Sequence, residues 1–227
     1  EILLEAGLPA EAIQCVTGSG ADIGDVITSD PRVRKITFTG SMEVGDRICR
    51  NAGIKKVTME LGSNSPLIVM PDADLEKVAK ATVTGGFANA GQVCISTQRV
   101  FADRRIYGDF LDALVAPTEA FTTGDPMDES ARMGPMIRSS DADRVGEWIS
   151  EAVQQGARIV TGGDHEGSLH APTVLANATR DMRISQEEVF GPAVAVSAFN
   201  DIDEAIAMAN DSRFGLSAGI FTQNLDW

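Results

Sequence analysis

A chain of 227 residues with 43% hydrophobic and 23% charged positions has the composition of a folded globular protein. It is long enough to bury a core as one large domain or two small ones. Its net charge of −14 disfavours nucleic acid and anionic membrane as partners.

No apolar run approaches the roughly 20 residues that cross a bilayer, and no basic segment followed by an apolar stretch opens the chain as a signal peptide. The cysteines are Cys15, Cys49 and Cys94, an odd number at wide spacing. That argues against a disulfide framework and for a reducing, cytoplasmic compartment. The chain opens at Glu1 in a helix-like run and closes at Asp226-Trp227 just after a strand-like one, so both ends read as cut.

Strand and helix patterns alternate along the whole chain, as in an α/β fold with parallel strands. Residues 13–16 read as a short strand leading into Thr17-Gly18-Ser19-Gly20, and 21–29 as a helix. A second strand over 35–38 closes with Thr39-Gly40-Ser41. Ser41 is a good N-cap, Glu43 suits the first turn, and the helix runs to Asn51 and stops at Gly53. Residues 56–60 form a third strand.

Past Gly62 the pattern changes. A strand over 66–70 turns through Pro71-Asp72-Ala73-Asp74 into a helix over 75–89, followed by a strand at 98–102 and a helix at 106–115. Residues 117–138 are rich in proline and glycine and read as a surface excursion. An amphipathic helix over 140–155 places Val145, Trp148, Ile149, Ala152 and Val153 on one face. Strands follow at 158–161, 173–175, 193–197 and 218–221, with a helix over 203–210 between the last two. His165 and His170 lie in a Gly-rich stretch with no clustered partner, a solvated loop and not a metal site. A domain boundary near Gly62 divides the chain into 1–61 and 62–227.

Two segments carry candidate chemistry. Gly91-Gln92-Val93-Cys94-Ile95 follows the helix over 75–89, so Cys94 sits in a turn whose backbone N–H groups are uncommitted. Such a thiol is a nucleophile whose oxyanion those groups hold, or else a small buried hydrophobe. Upstream, Glu60 in Met59-Glu60-Leu61-Gly62 ends a strand where a charge gains nothing from packing. A carboxylate at the C-terminal end of a parallel strand faces the crevice where α/β folds bind ligands; a solvated strand-end glutamate fits the same pattern.

Three further segments are weaker by themselves. Thr39-Gly40-Ser41 ahead of a helix has the form of a phosphate cradle, although most such turns only cap helices. Gly18, Gly20 and Gly24 are spaced one residue wider than the dinucleotide fingerprint. Glu187-Glu188-Val189-Phe190-Gly191-Pro192 presents a carboxylate and an aromatic ring, or simply links a short helix to the next strand. Cys15, in an apolar run, and Cys49, within a helix, read as packed thiols.

In order along the chain, Phe38-Thr39-Gly40-Ser41-Met42-Glu43-Val44-Gly45, Met59-Glu60-Leu61-Gly62, Gly91-Gln92-Val93-Cys94, Glu188-Val189-Phe190-Gly191-Pro192 and Gly215-Leu216-Ser217-Ala218 resemble the aldehyde dehydrogenase superfamily. The resemblance implies the C-terminal part of a Rossmann-like NAD(P)-binding domain in 1–61, followed by a parallel-sheet α/β catalytic domain in 62–227. It implies oxidation of an aldehyde to a carboxylic acid, with hydride transfer to NAD or NADP, through a thiohemiacetal and a thioacyl intermediate on Cys94.

Glu60 would be the base for the deacylating water, and Gly40 would give the cofactor room. Ser41 would contact its pyrophosphate, Glu188 its nicotinamide ribose and Phe190 the nicotinamide. A small-molecule aldehyde is the implied partner, with no metal, nucleic acid or membrane, and the complete protein would be a homo-oligomer. Family members are far longer, so the N-terminal half of the cofactor domain and a C-terminal segment lie outside this chain. Ser63-Asn64 also replaces the Gly-Lys of many members. A CoA-acylating aldehyde dehydrogenase and a non-catalytic scaffold fragment are the alternative readings.

Overall fold

Two serine caps start the longer helices of residues 1–61 in the computed structural model, which describes all 227 residues. A short helix α1 (Ile2–Glu5) precedes α2 (Gly20–Ser29), where Ser19 accepts from the Asp22 N–H at 3.2 Å. Ser41 does the same for α3 (Met42–Ala52), accepting from Val44 N–H at 3.4 Å, and Glu43 and Arg50 sit at the ends that suit the helix dipole. The Lys55 ammonium closes α2 by donating to the carbonyls of Thr28 and Ser29 at 3.0 and 3.2 Å.

Between these helices, β1 (Lys35–Gly40) and β2 (Lys56–Leu61) pair in parallel, with Ile36 opposite Val57 and Gly40 opposite Leu61. Gly45 lets α3 approach β2 closely, since a Cβ there would come within 2.6 Å of the Leu61 side chain.

Glu1–Leu61 is one compact unit and Gly62–Trp227 a second. In the first, only Thr28, Ile36, Gly45 and Ala52 are buried, and two sequence expectations fail there for that reason. Residues 13–16 are not a strand: Ile13 is extended (φ −136°, ψ 130°), but β1 and β2 pair only with each other. Cys15 and Cys49 are exposed rather than packed, because so small a core offers them no place.

The second unit is built on a six-stranded sheet. In chain order its strands are β3 (Pro66–Val69), β4 (Arg99–Asp103), β5 (Arg158–Thr161), β8 (Thr173–Ala176), β9 (Ala193–Phe199) and β10 (Gly219–Phe221). A separate hairpin joins β6 (His165–Glu166) to β7 (Leu169–His170). The sheet order is β10-β3-β4-β9-β8-β5, and every neighbour is parallel except β5 on β8.

All five residues of β4 and all four of β8 are buried, as expected of strands covered on both faces. The helices are α4 (Leu75–Phe87), α5 (Tyr107–Glu119), α6 (Ser139–Gln154), α7 (Arg183–Gln186) and α8 (Ile202–Asn210). Ile68, Met70, Phe101, Phe199 and Ala205 form a separate apolar cluster that includes α8. The mixed α/β architecture with a parallel-dominated sheet agrees with the sequence pattern. Helix α5 passes through Pro117 and so outruns the expected 106–115; burial of Leu114 and Thr118 outweighs one missing hydrogen bond near the helix end. No helix is long and apolar enough to cross a membrane.

The histidines depart from the expected solvated loop. The β6–β7 hairpin stacks the two rings at 5.4 Å between centroids, with planes 3° apart. Gly146 of α6 makes room for His165, whose Nε2 lies 3.0 Å from an Asp143 carboxylate oxygen. His170 is 1% exposed; its Nδ1 donates to the Ala171 carbonyl at 2.8 Å and its Nε2 has no partner.

Burial pushes the His170 pKa below its ordinary value; the neighbouring His165 adds to this, while the Ala171 carbonyl and Asp164 oppose it. The unfolded chain therefore protonates this ring at about pH 6.5, before the folded chain does. Stability is full above that pH and is lost as pH falls toward the depressed folded value. We expect His170→Leu to leave the melting temperature unchanged or higher at about pH 8 and to flatten its decline between about pH 7 and 5. A wild-type slope in the variant would remove His170 from the account.

Candidate active site

Helix α4 ends at Phe87, two residues earlier than the sequence suggests, because the chain turns left-handed. Asn89, Ala90 and Gly91 have φ of 53°, 55° and 67°. For Asn89 and Ala90 this costs on the order of 1–2 kcal/mol each. The strain is held by local bonds: Asn89 Nδ2 donates to the Gln92 carbonyl at 3.2 Å, and Gln92 Nε2 returns to the Asn89 carbonyl at 3.0 Å.

Gly91 lies against the carbonyl of Gly191, so a side chain at position 91 would overlap main chain. Past this point the Ser96 N–H donates to the Val93 carbonyl at 2.9 Å and closes a turn. Cys94 and Ile95 are its corner residues, and both are exposed. The Cys94 N–H has no protein acceptor. Cys94 thus stands in a turn past the helix with an uncommitted N–H, as expected from the sequence.

Glu188 is placed by a different loop. One of its carboxylate oxygens accepts from the Ser63 N–H at 3.0 Å, and the carboxylate presses on Gly62 so closely that any Cβ there would overlap it. Gln98, 1% exposed, spans the same region, accepting from Val189 N–H at 2.7 Å and donating to the Ser63 carbonyl at 3.2 Å. The guanidinium of Arg144 donates to the Val189 carbonyl at 2.9 Å while lying over the Trp148 ring. Phe190, half-buried, is forced to φ 43°, a strained conformation for a bulky residue.

These loops meet because of sheet order. Ser63 precedes β3, Cys94 precedes β4 and Glu188 precedes β9, and these are adjacent parallel strands whose N-terminal ends share one edge. In the first unit, Glu60 is exposed on β2, opposite Thr39 of β1, so Gly40-Ser41 and Glu60 leave that sheet at the same end. The Phe38 ring occupies the space a side chain would take at Gly40.

The candidate residues therefore form two sets: Gly40, Ser41 and Glu60 in the first unit, and Cys94, Glu188 and Phe190 in the second. Sequence reasoning missed Gln98, whose signal was a polar residue opening an apolar run, and Arg144, for which there was none.

A family model described as the aldehyde dehydrogenase family matches residues 1–227. The chain belongs to the aldehyde dehydrogenase family. It is 48% identical over 227 residues to a 3-sulfolactaldehyde dehydrogenase of Priestia aryabhattai, covering 100% of this chain and 48% of that protein. Among solved structures, an NAD-dependent aldehyde dehydrogenase from Sinorhizobium meliloti superposes with TM-score 0.94 at 38% identity, covering 98% of this chain and 45% of that one. An NADP-dependent glyceraldehyde-3-phosphate dehydrogenase from Bacillus halodurans C-125, complexed with NADP, gives 0.95 at 37%, covering 99% and 47%. The chain spans about half the length of the curated relatives it matches.

Gly91 gives the first test of the turn. Gly91→Ala combines a disfavoured φ with a main-chain clash, so we expect a loss of about 2–4 kcal/mol in urea unfolding, or insoluble protein. A variant as stable as the wild type would mean that the Gly91–Gly191 approach does not hold the turn.

Proposed function

We propose that this chain is the part of an NAD(P)-dependent aldehyde dehydrogenase that carries its nucleophile, Cys94, and its general base, Glu60. Residues 1–61 are then the C-terminal part of the NAD(P)-binding domain and 62–227 the catalytic domain. The observation that carries the reading is the exposed Cys94 thiol at a turn corner with a free N–H, one strand over from the loop that holds Glu188.

The donor set fits a nicotinamide dinucleotide. The Glu188 carboxylate, steadied by the Ser63 N–H, suits the paired hydroxyls of a ribose, and Phe190 suits the flank of the nicotinamide. The start of α3, with Gly40-Ser41 before it, suits a pyrophosphate. When bound, the nicotinamide supplies the hydride acceptor.

The chain's own residues do the rest. The Cys94 thiolate adds to the carbonyl carbon of a small aldehyde, and the Cys94 N–H stabilises the oxyanion. As the C=O bond re-forms, the hydrogen on that carbon leaves as hydride, and a thioester remains on Cys94. Glu60 takes a proton from water, the water oxygen adds to the thioester, and the Cys94 thiolate departs as the carboxylic acid forms. The glutamate at this strand end favours water over CoA as acyl acceptor. A homo-oligomer in the cytoplasm is the proposed setting of the complete protein.

In the full-length protein we expect Cys94→Ala to lower NAD(P)H formation by about a thousand-fold or more. Glu60→Gln should release one equivalent of reduced cofactor in a burst and then slow by about a hundred-fold. Turnover by Cys94→Ala, or deacylation at the normal rate by Glu60→Gln, refutes the assignment. So does acyl-CoA as the main product when CoA is added.

A further inference from the structure

Ser63 and Asn64, where the chain departs from the family pattern, are each 1% exposed. The Ser63 hydroxyl donates to the Cys94 carbonyl at 2.7 Å. A carbonyl only accepts, so the single Ser63 proton is committed there. The 2.8 Å contact between the Ser63 and Ser65 hydroxyls must then run with Ser65 as donor. The result is a directed chain from the Ser65 hydroxyl through the Ser63 hydroxyl to the Cys94 carbonyl.

The main chain of Ser63 meanwhile serves the other loop, its N–H on the Glu188 carboxylate and its carbonyl on Gln98. Asn64 fastens the approach to Glu188 by donating to the carbonyls of Ser185 and Gln186 at 3.3 and 3.2 Å, and accepts from the Ser212 hydroxyl at 2.7 Å.

We propose that the Ser63 hydroxyl is a positioning residue for the nucleophile, pinning the Cys94–Ile95 peptide through its carbonyl. This rests on Cys94 being the nucleophile, as proposed above. The turn at Cys94 is closed by one backbone bond between Ser96 and Val93, which leaves the corner peptide free to rotate unless something holds it. Fixing the carbonyl ties the Cys94–Ile95 peptide to the loop before β3, and through the Cys94 ψ angle it sets the direction in which the Cα–Cβ bond carries the thiol away from that peptide.

The effect falls on bond formation at sulfur. Cofactor affinity is spared, because the Glu188 contact uses a backbone N–H that any residue at position 63 retains.

The test uses the full-length protein and p-nitrophenyl acetate, which needs no cofactor. The Cys94 sulfur bonds to the acetyl carbon, p-nitrophenolate leaves with the electron pair of the broken C–O bond, and water later releases acetate and restores the thiol. For Ser63→Ala we expect the p-nitrophenolate burst and kcat for aldehyde oxidation to fall about ten-fold, with the Kd for NAD within about two-fold of wild type. If Ser63→Ala does not fold, Ser63→Cys, similar in size but a weak donor, should show the same pattern.

A wild-type burst rate, or a loss in cofactor affinity as large as the loss in kcat, overturns the proposal. Cys94→Ala separates the two levels. If it keeps the burst, the nucleophile assignment fails; if it abolishes the burst while Ser63→Ala leaves it unchanged, only the role of Ser63 fails.

Discussion

The contact of the Gly91 main chain with the carbonyl of Gly191 decides where the Cys94 thiol can stand. It brings the loop before β4 against the loop before β9 at a distance no side chain tolerates, and it demands a left-handed residue at that point. Two ordinary residues, Asn89 and Ala90, are carried into the same left-handed region, and the chain then recovers through a turn with Cys94 at its corner. A few kcal/mol of backbone strain is held there, and the Cys94 thiol at the turn corner is exposed with its own N–H unused. Phe190, also at positive φ, lies on the other side of the same contact.

Around it, buried polar groups act as fasteners rather than as catalysts. Gln98 holds position 63 and position 189 with one amide. Gln92 ties the Cys94 turn to Ile137 through a 2.9 Å bond from the Ile137 N–H. Each such group is satisfied, so each adds specificity without the penalty of an orphaned donor. His170 differs: its Nε2 is unpartnered, as are the buried Thr82 and Thr118 hydroxyls, and it ties stability to pH instead of fixing geometry.

What the sequence revealed was local. Ser41 and Gly53 bracket α3 within a residue of the observed ends, since a cap and a left-handed stop act over one turn of chain. The inner strands β3, β8 and β9, apolar and largely buried, also stood out. The left-handed turn at 89–91 was illegible because nothing in Asn-Ala-Gly requires it; a contact with residue 191, far along the chain, does. Residues 13–16 have β-like side chains, yet a strand exists only where another edge pairs with it.

Of the two histidines only His170 is buried, and Gly146, which admits the exposed His165 ring, lies in another element. Family motifs identified Cys94 and Glu188 by order and spacing, whereas the edge they share follows from strand order, which spacing does not encode.

In the proposed mechanism the acyl group resides on Cys94. The most direct measurement mixes the full-length Glu60→Gln protein with NAD or NADP and a panel of small aldehydes, quenches it in acid, and maps the acyl mass onto peptides. The account predicts a single acyl group on the peptide bearing Cys94, with Cys15 and Cys49 unmodified. An acyl group on either of those thiols, or reduced cofactor produced with no adduct at Cys94, would contradict it.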